Sequence, residues 1–150
     1  RYPLAKKSSA RVPAKIVVSD LGVRNAIFRW APSLWESDPA VLGPLVETLV
    51  QGCLRGPNLQ VHFFRDYAEP NNRRSPIREV DFVVERVDGT TLPVEVKFRK
   101  RIDSEDLLGI KAFQARFGVS RAIVVTRDRS EWREREGILL MPLANFLAAF

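Results

Sequence analysis

Asp81, Glu95 and Lys97 lie close together in the stretch EVDFVVERVDGTTLPVEVKFRK, residues 79 to 100, as two runs of alternating apolar residues joined by a turn. Two carboxylates and an ammonium that converge can do chemistry. Hard oxygen donors suit Mg²⁺ or Mn²⁺, which polarise a phosphodiester and lower the pKa of an attacking water. The bland alternative is a surface salt bridge between Glu95 and Lys97. What separates the two is whether the three side chains meet.

The turn governs that. In TLPVEVKFR the apolar set is Leu92, Val94, Val96 and Phe98, so Glu95, Lys97 and Arg99 share the opposite face. In REVDFVVE the apolar set reads as Val80, Phe82 and Val84, which leaves Glu79, Asp81 and Val83 together. A two-residue Asp88-Gly89 loop would pair Asp81 with Val96 and split both the acids and the apolar faces, so burial rejects it. A three-residue loop, Val87-Asp88-Gly89, pairs Arg86 with Thr90 and sets Asp81 opposite Glu95. Gly89 then takes the left-handed position that a type I turn plus bulge requires. Opposed carboxylates sit about 5 Å apart at Cβ and repel unless a cation joins them. Lys97 and a divalent metal are both candidates. Lys97, on the same face, is also placed to hold a water or to offset charge on a phosphorane-like transition state.

Around this hairpin the chain reads as one domain. Residues 1–14, RYPLAKKSSARVPA, are basic and aperiodic and predict a linker or arm, with the domain proper over 15–150. KIVV reads as a short strand, and Asp20 is placed to cap a helix through LGVRNAIFRW. In VLGPLVETLVQGCL, Leu42, Leu45, Val46, Leu49 and Cys53 recur at helical spacing. Pro44 is tolerable in a first turn, so that helix is predicted to begin near Gly43. Strands follow at 59–65, 77–86 and 91–99, with the polar AEPNNRRSP between the first two. Pro93 should mark the first paired residue of its strand or a bulge. Asp103 can cap a helix whose stripe is Leu107, Ile110, Phe113 and Phe117 and which Gly118 ends. AIVVT reads as a central buried strand. After the charged RDRSEWRERE, GILLMP predicts another strand and PLANFLAAF a closing helix. The order helix, three strands, helix, strand implies an α/β domain with a mixed sheet.

Composition narrows the functions. The 150 residues are 45% hydrophobic and 28% charged, enough for a sizeable core. Lone Cys53 excludes an internal disulfide, and with His62 as the single histidine it excludes a Cys/His zinc site. No run approaches the roughly 18 apolar residues of a membrane span. Nothing resembles a phosphate-binding loop, so no ATPase site is expected. A cytoplasmic setting fits, and a start at Arg1 rather than Met predicts a piece of a longer protein. The net charge of +6 and a pI near 10.0 favour anionic partners. Arg99, Lys100 and Arg101, next to Lys97, are the candidate nucleic-acid contacts. His62 reads as a structural histidine, and Trp30, Trp35 and Trp132 as core or contact aromatics.

The pattern as a whole resembles the PD-(D/E)xK nuclease-like superfamily, in which an acid-bearing helix precedes a strand with Asp, a hairpin, and a strand with Glu-x-Lys. The resemblance spans roughly Leu42 to Thr126. More narrowly, VVSDLGVRNAIF, LGPLVETLV, FFRD, EVDFVVE, PVEVKFR and AIVVTRD resemble the domain of unknown function found C-terminal to an AAA-type ATPase module in bacterial and archaeal proteins. The resemblance implies a restriction-endonuclease-like mixed sheet flanked by helices. It implies Asp81 and Glu95 as ligands of Mg²⁺ or Mn²⁺, Lys97 as the catalytic lysine, and Glu47 as the helical acid that orients metal or water. Nucleic acid, DNA foremost, would be the substrate, and an ATPase module before Arg1 the partner. Gln114 stands where related nucleases carry a glutamine, but Gly118 replaces the tyrosine that accompanies it, so Gln114 reads as a rim residue. Three readings follow: a metal-dependent nuclease; a non-cleaving nucleic-acid or protein-partner module of an ATPase; and a structural oligomerisation domain. The intact acid and lysine set favours the first over the last.

Overall fold

The computed structural model describes residues 18, 20–29, 38–67, 74–127 and 132–150. The expected arm, Lys15 to Val17 of the KIVV strand, Trp30, Trp35 and positions 68–73 of the polar loop lie outside the described residues. Helix α1 (Leu21–Phe28) is capped as the sequence predicts, by the Asp20 carboxylate accepting from the Val23 N–H at 2.8 Å.

Helix α2 (Pro39–Cys53) starts earlier than its proline suggested. Asp38 accepts from the Ala40 N–H at 2.8 Å, and Pro39 opens the helix, a pairing suited to an N-terminus. Pro44 therefore lies inside the helix and not in its first turn. An unsupported interior proline costs about 3 kcal/mol. The extra turn lets Val41 join Leu45 and Val46 in burial, and each such side chain contributes roughly 1.5–3 kcal/mol. The Thr48 hydroxyl also donates to the Pro44 carbonyl at 3.0 Å.

Strands β1 (Leu59–Tyr67), β2 (Ile77–Arg86) and β3 (Thr91–Lys97) form an antiparallel run. A short 3₁₀ turn, Ser104–Leu107, leads into α3 (Leu108–Phe117), which carries the chain over to β4 (Ala122–Thr126), parallel to β3. Strand β6 (Ile138–Pro142) adds in parallel to β4, β5 (Arg133–Arg135) pairs antiparallel at its outer edge, and α4 (Leu143–Ala149) follows. The six-stranded mixed sheet has the order β1-β2-β3-β4-β6-β5. The fold is α/β, with helices on both sides of a mixed sheet.

Each face has its own core. On one side Val46 and Val50 of α2, Leu54 at its C-terminal cap and Phe146 of α4 cover Phe82, Val84, Val94, Val96 and Val125. On the other, Leu107, Ile110 and Phe113 cover Phe64, Val80, Val83 and Val124. Phe64 and Phe113 meet edge to face with centroids 5.2 Å apart, a favoured aromatic geometry. Gly118 ends α3 in the left-handed conformation at φ 68°, as its position predicted. Pro93 is the third residue of β3, not its first, and its lack of an N–H is harmless because the ladder with β4 begins one residue later, at Val94. Strand β5 was not foreseen: Arg-Glu-Arg has neither β propensity nor an apolar face, and the Glu136-Gly137 turn, with φ of 54° and 75°, brings it back against β6.

Candidate active site

The β2–β3 turn has the predicted geometry. The Arg86 N–H donates to the Thr90 carbonyl at 3.0 Å, the Gly89 N–H returns to the Arg86 carbonyl at 2.9 Å, and Gly89 adopts φ 81°. Pairing then runs Glu85 to Thr91, Val84 to Leu92, Val83 to Pro93 and Phe82 to Val94. The next step in this register sets Asp81 against Glu95.

At that step the ladder stops, because β2 is bulged. Its register with β1 shifts between His62 and Phe64, whose partners are Val83 and Val80, so Asp81 and Phe82 together span the single residue Phe63. The bulge resets the alternation along β2. Phe82 and Val84 face α2, whereas Val80 joins Val83 under α3. The simple alternation that grouped Val80 with Phe82 and Val84 is thereby corrected; the irregularity depends on the β1 partner, which the β2 sequence does not encode.

The bulge leaves backbone donors without ladder partners, and the two carboxylates take them. Glu95 Oε2 accepts from the Asp81 N–H at 3.1 Å, and Asp81 Oδ2 accepts from the Val96 N–H at 2.9 Å. Lys97 Nζ lies 2.7 Å from Glu95 Oε1. Glu95 is 5% exposed. Burial, and then the Asp81 charge, push its carboxyl up to about 7, against the pull of Lys97. Burial alone would lower the Lys97 ammonium, but the charge and hydrogen bond of Glu95 hold it above the ordinary lysine value.

Glu47, from α2, lines the same cleft of about 410 Å³ as Asp81, Glu95 and Lys97. All four predicted residues therefore share one cavity. Among the described residues, no three carboxylate, imidazole or thiolate groups come close enough together to enclose a metal ion. The cleft wall is acidic: Glu47, Glu79, Asp81, Glu95, Glu105 and Asp106 face Arg65, Arg78 and Lys97, six acids against three cations. Glu79 is tied to Arg65 at 2.8 Å.

The predicted basic trio divides. Arg99 is ion-paired with Asp106, and Arg101 lies 3.4 Å from Asp103. Lys100 lines a separate groove beyond β3, whose smaller part Arg101 also borders. Asp106 was missed as a cleft residue, although the spacing Asp103-x-x-Asp106 signals a capping box, which forms here. Gln114, on α3, is partly buried, and its carbonyl accepts from the N–H of Gly118 at 2.9 Å. His62 lies 3.7 Å from Glu85 on the β1–β2 pair, outside the cleft. Trp132 is half-exposed.

Fold and site define an α/β domain with a carboxylate–lysine cleft at the end of a central hairpin. Residues 42–146, well over half of the 150, match the family described as Domain of unknown function (DUF4143), and the chain belongs to that family. No curated protein and no solved structure matches it. Among the described residues no helix is long and apolar enough to cross a membrane.

Proposed function

We propose that the chain is a PD-(D/E)xK nuclease-like domain that hydrolyses nucleic acid, DNA foremost, with Mg²⁺ or Mn²⁺, as the cytoplasmic C-terminal part of an AAA-type ATPase. The observation that carries this reading is the convergence of Asp81, Glu95 and Lys97 in one cleft, built by a hairpin from the pattern Asp, turn, Glu-x-Lys. Hard-oxygen donors suit Mg²⁺, which binds through one or two carboxylates and keeps its remaining waters. Asp81 and Glu95 would hold the ion, with Glu47 on the cleft wall orienting a ligand water. The metal would supply Lewis-acid polarisation and a water of lowered pKa. Lys97 would hold the attacking water by hydrogen bond and offset charge developing on the phosphate. The acidic wall raises local cation concentration, and a bound cation would offset the burial and the Asp81 charge that together hold the Glu95 carboxyl above its ordinary value.

A second reading has its own support. The carboxylates of Asp81 and Glu95 each hold a backbone N–H that the bulge leaves over, which is a structural use. A domain that kept the fold and bound nucleic acid or a protein partner without cleaving would retain them for that alone.

The test is cleavage of labelled duplex, single-stranded and branched DNA, and of RNA, in Mg²⁺ or Mn²⁺, by this chain and by Lys97→Ala. The nuclease reading expects cleavage that Lys97→Ala loses, and a metal-induced rise in Tm that Asp81→Ala abolishes. Metal binding with no cleavage of any substrate leaves the second reading and ends the first.

A further inference from the structure

The proposed cleft is poorly made for holding a polyanion. Six acids face three cations on its wall, so a phosphodiester entering it without metal meets net repulsion. Whatever retains the substrate must lie beside the cleft. Two cavities at the carboxyl ends of β3, β4 and β6, of about 1030 and 260 Å³, share Lys100, Thr126 and Pro142 in their walls and adjoin at those residues, a groove in two parts around the strand ends. The carboxyl ends of parallel strands are where open α/β sheets take their ligands.

The groove has the opposite charge. Its described lining includes Lys100, Arg101, Arg127 and Arg133 and no carboxylate. Several cations elsewhere are compensated: Arg65 by Glu79, Arg99 by Asp106, Lys111 by Glu136, Arg116 by Asp66. Among the described residues no acid lies within ion-pairing distance of Lys100, Arg127 or Arg133, and Arg127 has its guanidinium 5.9 Å from the Phe98 ring centroid. Cations left uncompensated on one surface, with an aromatic edge and the Asn145 amide beside them, form a surface suited to phosphates and the bases they carry.

Position links the groove to the cleft. Thr126, in the groove, is the register partner of Lys97, in the cleft, on adjacent parallel strands about 4.8 Å apart. We propose that Lys100, Arg127 and Arg133 form a phosphate track for the nucleic-acid backbone, running across the carboxyl ends of β3, β4 and β6 and delivering one phosphodiester to the cleft. This rests on the nucleic-acid reading of the site, and moves the anchoring cations from Arg99 and Arg101, each paired with an acid, to Arg127 and Arg133.

The test is fluorescence anisotropy of labelled duplex DNA in EDTA, so that binding is read without metal or cleavage, over a range of salt. Each phosphate contact contributes about 0.9 to the slope of log K against log salt. Lys100→Gln/Arg127→Gln/Arg133→Gln should flatten the slope by roughly two to three. Arg55→Gln/Arg86→Gln/Arg121→Gln, which removes the same charge at the opposite ends of the strands, should leave it unchanged. Single Lys100→Gln should flatten it by roughly one, and serves if the triple variant fails to fold by circular dichroism. Equal slopes for the two triples, or no change in either, overturn the track. Polyglutamate binding with the same affinity and the same loss overturns it in favour of an acidic protein partner. Cleavage by the parent chain together with parent-like binding by the groove triple sinks the track and spares the nuclease. Groove-dependent binding without cleavage does the reverse.

Discussion

Gly109→Ala probes the contact that fixes the cleft wall. Gly109 lies in the first turn of α3, where a Cβ would stand 1.9 Å from the Glu79 carbonyl oxygen and 3.0 Å from its carbon, two residues before Asp81. Ordinary carbon–oxygen contact begins near about 3.3 Å, so the helix would have to withdraw by roughly 1.4 Å. The obstacle is strand backbone, which cannot rotate aside as a side chain can. Withdrawal loosens Leu107, Ile110 and Phe113 from Val80 and Val83. Overpacking of this kind costs about 1–3 kcal/mol, with the upper half expected against rigid backbone. Alanine's better helix propensity returns at most about 1 kcal/mol. The net loss is about 2 kcal/mol, a fall in Tm of roughly 4–8 °C for a domain of this size. Gly43→Ala in α2 is the matched control, because nothing lies within 4 Å of its Cβ position. It should raise Tm by a few degrees on propensity alone. Urea and thermal melts by circular dichroism measure both. A neutral or stabilising Gly109→Ala would refute the close seating of α3 on β2.

Two further outcomes follow from the site and its turn. Because the folded Glu95 carboxyl titrates near about 7 and its ordinary value is 4.5, the folded state binds the extra proton between those limits. Stability contributed by that proton is present below pH 4.5 and is lost as pH rises towards 7, by roughly 3 kcal/mol at about 1.4 per unit. Glu95→Gln should flatten that part of the metal-free stability–pH curve; an unchanged slope in urea melts between pH 4.5 and 8 would rule the assignment out. Gly89→Ala has open space around its Cβ position but holds φ 81°, so it should cost about 1–2 kcal/mol from backbone conformation alone. Gly89→Asn should cost less, and equal losses for the two would show that the left-handed turn is not the cause.

The hairpin was legible because a turn and its register are local. Val87, Asp88 and Gly89 admit one loop length that keeps Leu92, Val94 and Val96 on one buried face, and Asp81 then meets Glu95. The bulge was not legible, since Asp81 and Phe82 look like ordinary alternation until Phe63 on β1 is known to oppose them both. Pro44 misled for a related reason: its local cost is real, but the burial that outweighs it, at Val41, Leu45 and Val46, comes from tertiary packing that the local sequence does not encode. The fate of the basic trio depended on Asp103 and Asp106, a turn away in sequence but brought into pairing distance by the 3₁₀ segment. Arg127 and Arg133 joined Lys100 only through the parallel order of β3, β4 and β6, which no short stretch specifies.

The three-residue strand β5 bears on how the protein avoids aggregating. An edge strand presents unpaired N–H and C=O groups to any passing chain, and without β5 the apolar strand β6, ILLMP, would stand at that edge. Arg133, Glu134 and Arg135 are all exposed, and they pair with Leu140, Leu139 and Ile138. An incoming strand would have to add alongside three charged side chains and would find only a short stretch of backbone to pair with. The charged residues that made β5 hard to recognise as a strand are what suit it to stand at the border of the sheet.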